Sequence, residues 1–300
     1  MRVAIIGSTG QLGTDLSDVL VRAGSYDVFG LSHREMECTD PVSIERALKA
    51  ARPDVVVNCA AFVRVDESED RPDDAFHVNS LGALAVARAC ARIDALCVYI
   101  STDYVFDGDK GAPYTECDAS HPINVYGASK LAGEYLVQQA CPRWLVARTA
   151  SLFGKAGSSG KGGNFVETIL AKARAGQPLR LVNDVRMSPT YSRDGAQALE
   201  TLLRQGASGL FHLTNAGNCS WYEFACKALE VAGLSNRIEP ISSANYPMKA
   251  RRPKDSSLES TKLHPSLKEC LRPWPEALKA YLEEKGHLSF RQLAGTVDRP

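Results

Sequence analysis

With 300 residues and 44% apolar side chains, the chain is long enough to bury one large core, or one core with a smaller appended unit, without disulfide or metal support. Thirty-five acidic residues balance thirty-five basic ones, which argues against nucleic acid or an anionic membrane as partner and leaves a small molecule as the expected ligand. The nine cysteines form no C-x-x-C pair and several sit in apolar runs, the six histidines lack metal-ligand spacing, and no apolar stretch has the length of a membrane span. Together with a first segment that runs straight into a strand and a glycine-rich turn, this predicts a cytoplasmic protein with buried, reduced thiols and no bound metal.

In chain order, short apolar runs at 3–6, 28–31, 55–58, 97–101 and 144–148 read as buried strands. Between them, 12–23, 42–50, 75–92 and 126–139 space their apolar residues for helices. Such alternation predicts a parallel sheet with right-handed crossovers, hence an α/β fold with a Rossmann-type doubly wound domain over 1–150. The rhythm changes after 150. A Gly-, Ser- and Lys-rich loop at 154–163 precedes helices at 165–175, 195–205, 221–232 and 274–285, with a sheet-extending strand at 210–213. This predicts a smaller α/β substrate-binding region over 151–285 with segments that return to the first domain, and a tail at 286–300.

Gly7-Ser8-Thr9-Gly10-Gln11-Leu12-Gly13 joins the first strand to the first helix. In that place a Gly-x-x-Gly-x-x-Gly run supplies a tight turn, a backbone that approaches a pyrophosphate closely and a helix N-terminus to receive it. Gly7, Thr9, Gly10, Gln11, Leu12 and Gly13 are therefore expected to hold a dinucleotide. At the end of the second strand, Leu31-Ser32-His33-Arg34 lacks the acid that usually accepts from the adenosine ribose. Arg34 with His33 would instead neutralise a ribose 2′-phosphate, which favours NADPH over NADH, although both residues also fit a solvated surface. Ala60 and Ala61, after the third strand, are small enough to let a cofactor pass.

Tyr126-Gly127-Ala128-Ser129-Lys130 opens a predicted helix with the phenol and the amine one turn apart. A phenol with a reference pKa of about 10 is a poor acid at neutral pH unless a nearby cation stabilises its anion. The run from Ser101 to Gly108 places hydroxyls at the carboxyl edge of the sheet, where open α/β folds bind ligands, and makes Thr102 the third candidate. The competing role for Ser101 and Thr102 is a turn or cap hydrogen bond. Tyr104 and Phe106 are candidate aromatic walls, Phe106 equally a core residue.

These motifs, with Gly162–Val166, Asn183-Asp184, Ser188-Pro189-Thr190, His212–Asn215, Cys219–Phe224 and Arg252-Pro253-Lys254, resemble the extended short-chain dehydrogenases. Within that group the chain is similar to the dTDP-4-dehydrorhamnose reductases over about residues 1 to 285. The resemblance implies an NADPH-dependent reductase, with NADH as the other option, acting on a keto carbon of a nucleotide-linked sugar. It also implies Thr102, Tyr126 and Lys130 as the triad, Lys130 on the nicotinamide ribose, and Tyr104, Ser151, Asn164 and Phe165 around the sugar. Asn79 would be a helix-bend or active-site amide. Two positions depart from the family pattern: Ser151 replaces a tryptophan that packs on the sugar, and Met187 stands where a glycine is sometimes found. The first puts the identity of the sugar in doubt. Other readings are an extended short-chain epimerase or dehydratase, and a regulatory subunit such as that of methionine adenosyltransferase. A homodimer is left open.

Overall fold

In the computed structural model, residues 1–157 and 163–288 are described. Parts of the expected loop at 154–163 and of the expected tail at 286–300 lie outside them. Strands run at Arg2–Ile6 (β1), Asp27–Leu31 (β2), Val55–Asn58 (β3), Leu96–Thr102 (β4), Trp144–Thr149 (β5), Leu152–Phe153 (β6), Leu179–Val182 (β7), Arg186–Met187 (β8), Thr190–Tyr191 (β9), Gly209–His212 (β10), Cys219–Ser220 (β11) and Ile238–Ile241 (β12). Helices lie at Gln11–Ala23 (α1), Pro41–Ala51 (α2), Val65–Asp70 (α3), Pro72–Phe76 (α4), Ala83–Arg92 (α5), Val125–Ala140 (α6), Phe165–Arg174 (α7), Ser192–Arg204 (α8), Trp221–Ala232 (α9), Pro265–Cys270 (α10) and Trp274–Glu284 (α11).

The apolar runs pair into one parallel sheet of order β10-β5-β4-β3-β1-β2. Alternate residues of each strand face opposite sides. Val3, Ile5, Val57 and Val98 therefore pack with Leu16 and Leu199 of α1 and α8, while Ala4, Ile6, Val56 and Val146 pack with Ile44, Val86 and Val137 of α2, α5 and α6. Each fully buried Val or Leu contributes about 1.5–3 kcal/mol relative to exposure. The chain leaves β1 for β2 on one side and returns to β3 on the other, so a crevice opens at the carboxyl ends of β1 and β3.

The second region is held by an aromatic core in which Phe153 stacks on Tyr191 at 5.6 Å and meets Phe224 and Tyr281 at 5.4 Å each. It is not separate from the first: β10 forms the sixth strand of the main sheet and α8 packs on α1. The three two-stranded pairs β6–β9, β7–β12 and β8–β11 were not foreseen, because strands of two to four residues carry no readable period. The expected single helix at 75–92 is instead α4, a π-helix at His77–Gly82, and α5, with α3 before them. Interactions distant in sequence hold the wide turn. Asn79 is fully buried, its Nδ2 donates to Phe62 O and Ser129 Oγ, and its carbonyl accepts from Tyr99 Oη at 2.7 Å.

Candidate active site

The glycine-rich loop has the shape its sequence predicts. Gly7 takes a left-handed φ of +74°, and a Cβ there would come within 3.1 Å of the Ala60 nitrogen. A Cβ on Gly13 would lie 2.3 Å from the Gly7 carbonyl oxygen, so the first turn of α1 folds onto the loop only because position 13 is glycine. Gly10 is the N-cap of α1 and supplies no side chain to its free N–H groups, leaving those of Gln11, Leu12 and Gly13 at the positive end of the helix dipole. Gln11 Oε1 is buried without a hydrogen-bond partner among the described residues. A cradle that a Cβ would fill and an uncapped helix N-terminus whose backbone N–H groups point into it fit a dinucleotide pyrophosphate. Thr9 is exposed, and Ala60 and Ala61 are half-buried across the crevice.

His33 and Arg34 are both exposed at the end of β2. His33 Nδ1 lies 3.2 Å from Glu37, and Arg34 forms no salt bridge among the described residues. A carboxylate that the sequence reading did not assign is also there. Glu35 folds back to accept from the Ser32 backbone N–H at 2.8 Å and from the Ser32 hydroxyl, and these bonds hold its pKa below the usual range. That acid is committed to its own turn.

Thr102 ends β4, and Tyr126 and Lys130 stand on the first turns of α6. The start of α6 is fixed from two sides: Asn124 Oδ1 accepts from Gly127 N at 2.7 Å, and Glu69 of α3 accepts from Val125 N at 2.9 Å. A Cβ on Gly127 would lie 2.1 Å from the Tyr104 carbonyl oxygen, so glycine after Tyr126 lets the helix meet the turn beyond β4. Desolvation pushes the Tyr126 phenol up to about 12, while the neighbouring Thr102 hydroxyl works in the other direction. Thr102 Oγ1 also donates to Asp103 at 2.9 Å and accepts from Tyr104 N at 3.2 Å. The cap role weighed for Ser101 thus belongs to Thr102, whereas Ser101 donates to Glu134 at 2.5 Å.

Lys130 is 2% exposed, and its Nζ donates to Ile100 O at 2.6 Å and sits 4.1 Å from the centre of the Tyr99 ring. Burial lowers its pKa to about 7, against the opposing charge of Glu134. Among the described residues the Lys130 ammonium donates to the Ile100 carbonyl and not to the Tyr126 phenol.

Tyr104 forms a wall beside Tyr126, edge-on with ring centres 6.0 Å apart. Arg252 lies over the Tyr104 ring at 5.9 Å and pairs with Asp66 at 3.1 Å, which brings the segment after β12 to the mouth of the site. Phe106 is core: it is fully buried and stacks on Tyr114 at 4.1 Å. Ser151 follows β5 with a left-handed φ of +43°, a strained conformation for a non-glycine residue at the sheet edge. Phe165 is half-buried against Trp221 at 4.8 Å. Asn164 is reassigned from the sugar to the helix. Its Oδ1 caps α7 through Glu167 N, and its Nδ2 donates to Gly154 O at 3.0 Å and Tyr281 Oη at 2.9 Å, which uses both hydrogens. Met187 is buried in β8.

The parallel sheet, the glycine cradle at its switch point and the Thr-Tyr-Lys cluster at its carboxyl edge define a dinucleotide-binding protein of the extended short-chain dehydrogenase kind. More narrowly, the chain belongs to the family described as RmlD substrate binding domain, whose pattern matches residues 1–286. It is 40% identical, over 95% of its length and 98% of the relative's, to the spore coat polysaccharide biosynthesis protein SpsK of Bacillus subtilis. It is 38% identical to a dTDP-4-dehydrorhamnose reductase of Burkholderia thailandensis over 88% of this chain and 92% of that one. A solved dTDP-4-dehydrorhamnose reductase of Bacillus anthracis in complex with NADP superposes with a TM-score of 0.87 at 34% identity, covering 94% of this chain and 99% of that one. Among the described residues no helix is long and apolar enough to cross a membrane.

Proposed function

We propose that the protein reduces the keto group of a dTDP-linked 4-keto sugar with NADPH, as a dTDP-4-dehydrorhamnose reductase. The observation that carries this reading is the placement of Thr102, Tyr126 and Lys130 together at the sheet edge that also forms the glycine cradle. The full-length similarity to reductases, one of them bound to NADP, supports it. Bound nicotinamide would supply the hydride. Gly7, Gly10, Gln11, Leu12 and Gly13 would hold its pyrophosphate, with Thr9, Ala60 and Ala61 flanking it, and exposed Arg34 with His33 would take the 2′-phosphate.

Tyr126 donates its proton to the sugar oxygen, and Thr102 turns its hydroxyl from Asp103 toward that oxygen. Lys130 stabilises the phenolate left behind when its ammonium leaves the Ile100 carbonyl. Tyr104, Phe165 and Ser151 shape the sugar side. Residues 1–150 form the cofactor side, and 151–285 the substrate side with α8 and β10 returning to the sheet. The protein works in the cytoplasm. The test is NADPH oxidation followed at the nicotinamide absorbance with a dTDP-4-dehydro-6-deoxy-mannose-type substrate. Turnover in the wild type is expected; none, despite measurable NADPH binding, overturns the assignment.

A further inference from the structure

Glu134 lies one helical turn beyond Lys130 on α6 and is 1% exposed. Its carboxylate accepts three hydrogen bonds from two strands: Ser101 of β4 donates to Oε1 at 2.5 Å, and Arg148 of β5 donates from Nε to Oε1 at 2.9 Å and from Nη2 to Oε2 at 2.7 Å. The preceding residue of β4, Ile100, accepts the Lys130 ammonium. Two successive residues of one strand therefore hold a buried cation and a buried anion at the same level. Arg148 is itself 4% exposed, and it faces Glu134 at a cost: among the described residues its Nη1 finds no acceptor, while His212 Nε2, on the register partner in β10, finds no donor.

A buried ion pair is seldom needed for stability, since a well-packed apolar pair often serves as well. Its retention behind the reacting edge calls for another role. We propose that Glu134, fixed by Arg148 and Ser101, is the counter-charge of Lys130, a positioning residue that keeps the buried lysine an ammonium where the Tyr126 phenol needs one. This rests on the reading of Lys130 as part of the reaction.

The groups facing Lys130 single out Glu134. Glu134 comes from its own helix, Tyr99 from β4, Cys59 from just after β3 and Cys38 from the segment before α2; Arg148 stands behind Glu134. Burial raises both thiols to about 12, and Tyr99 is raised as well, which leaves Glu134, ion-paired with Arg148 at 2.7 Å, as the carboxylate of this set. It is also the largest of the charge effects that oppose the desolvation of the lysine.

The test follows the ionisation of Lys130 itself, in protein labelled with ¹³C at lysine Cε, the resonance being assigned by its loss in Lys130→Met. Glu134→Gln alone leaves Arg148 an unpaired buried cation, so the variant to use is Glu134→Gln with Arg148→Met, which removes both charges at nearly constant volume. Lys130 is expected to titrate about one pH unit lower in it than in the wild type. An unchanged titration in the folded pair overturns the proposal. Arg148→Met alone leaves Glu134 uncompensated and is expected to move the titration upward, so the proposal stays testable if the pair does not fold; a fixed or downward value there contradicts it. No cofactor or substrate is needed, which separates this result from the assigned reaction. A shifted titration without turnover in the wild type retires the reductase reading alone. Turnover with a fixed titration retires the role of Glu134 alone.

Discussion

At the scale of single residues, the site depends on groups whose environments push their ionisation away from water values. Tyr126, at about 12, stays protonated through the neutral range and is available as a donor. Replacing it by Phe removes the proton and little volume, so keto-sugar turnover should fall by about 10²- to 10⁴-fold while NADPH binding persists, as measured by steady-state rates and cofactor fluorescence. Lys130 has the opposite sign. Its pKa falls from 10.5 to about 7, so the ammonium is present below about 7 and lost above it. A pH profile of kcat/KM, which reports the free enzyme, should decline on the basic side with a limb near 7, and an unbroken plateau to pH 9 would contradict that assignment.

His212 is buried neutral, its Nδ1 donating to the Tyr114 and Glu259 carbonyls at 3.1 Å, and desolvation lowers it to about 4. The unfolded chain therefore binds more protons there between about pH 4 and 6.5, and stability rises with pH across that window. The contribution is about 3 kcal/mol, fully lost below pH 4. His212→Gln should flatten that part of the stability curve in urea titrations. None of this was legible from the sequence, in which His212 is one of six unspaced histidines. Tyr126 and Lys130 were legible because their spacing is a property of one helix. Glu134 was within reach of the same argument, being one turn further along, but its partners on β4 and β5 appear only when the sheet is assembled.

At the scale of elements, glycine decides how closely the pieces meet. Gly13→Ala would drive a methyl group into the Gly7 carbonyl, a backbone atom that cannot move aside without opening the loop. Overpacking of this kind costs about 1–3 kcal/mol, and NADPH affinity should drop by at least about tenfold in a binding titration. Gly133 has a similar role, since a Cβ there would lie 2.3 Å from the Asn79 carbonyl and 2.5 Å from Tyr99 Oη. The glycine loop and the five leading strands could be read from local pattern, and α9 at Trp221–Ala232 has the expected bounds. The π-helix at His77–Gly82 could not, because Phe62, Tyr99 and Ser129, which hold Asn79, lie 17 to 50 residues away. Asn164 misled for a related reason: an Asn before a helix is a cap signal as well as a ligand signal, and here Tyr281, 117 residues on, completes the cap.

At the scale of the whole molecule, one sheet carries both halves of the site. Its carboxyl edge presents the glycine cradle from β1 and the Thr102 hydroxyl from β4, and β10 ties the later residues to that edge through His212 and Arg148. NADPH at a hundredfold excess over its Kd should stabilise the fold by about 2.7 kcal/mol and raise Tm by several degrees. A thermal melt with and without cofactor checks this, and no shift would argue against a preformed cradle.

The central claim is that a hydride passes from the nicotinamide to a sugar carbon and stays there, which separates a reductase from an epimerase or dehydratase. The direct measurement is incubation of the protein with NADPH deuterated at both C4 positions of the nicotinamide and a dTDP-4-keto-6-deoxy sugar, followed by mass spectrometry of the sugar product. The account predicts one deuterium retained on the sugar for each NADPH consumed, and no such product with Tyr126→Phe. An isomerised or dehydrated sugar without deuterium and without net NADPH consumption would contradict it.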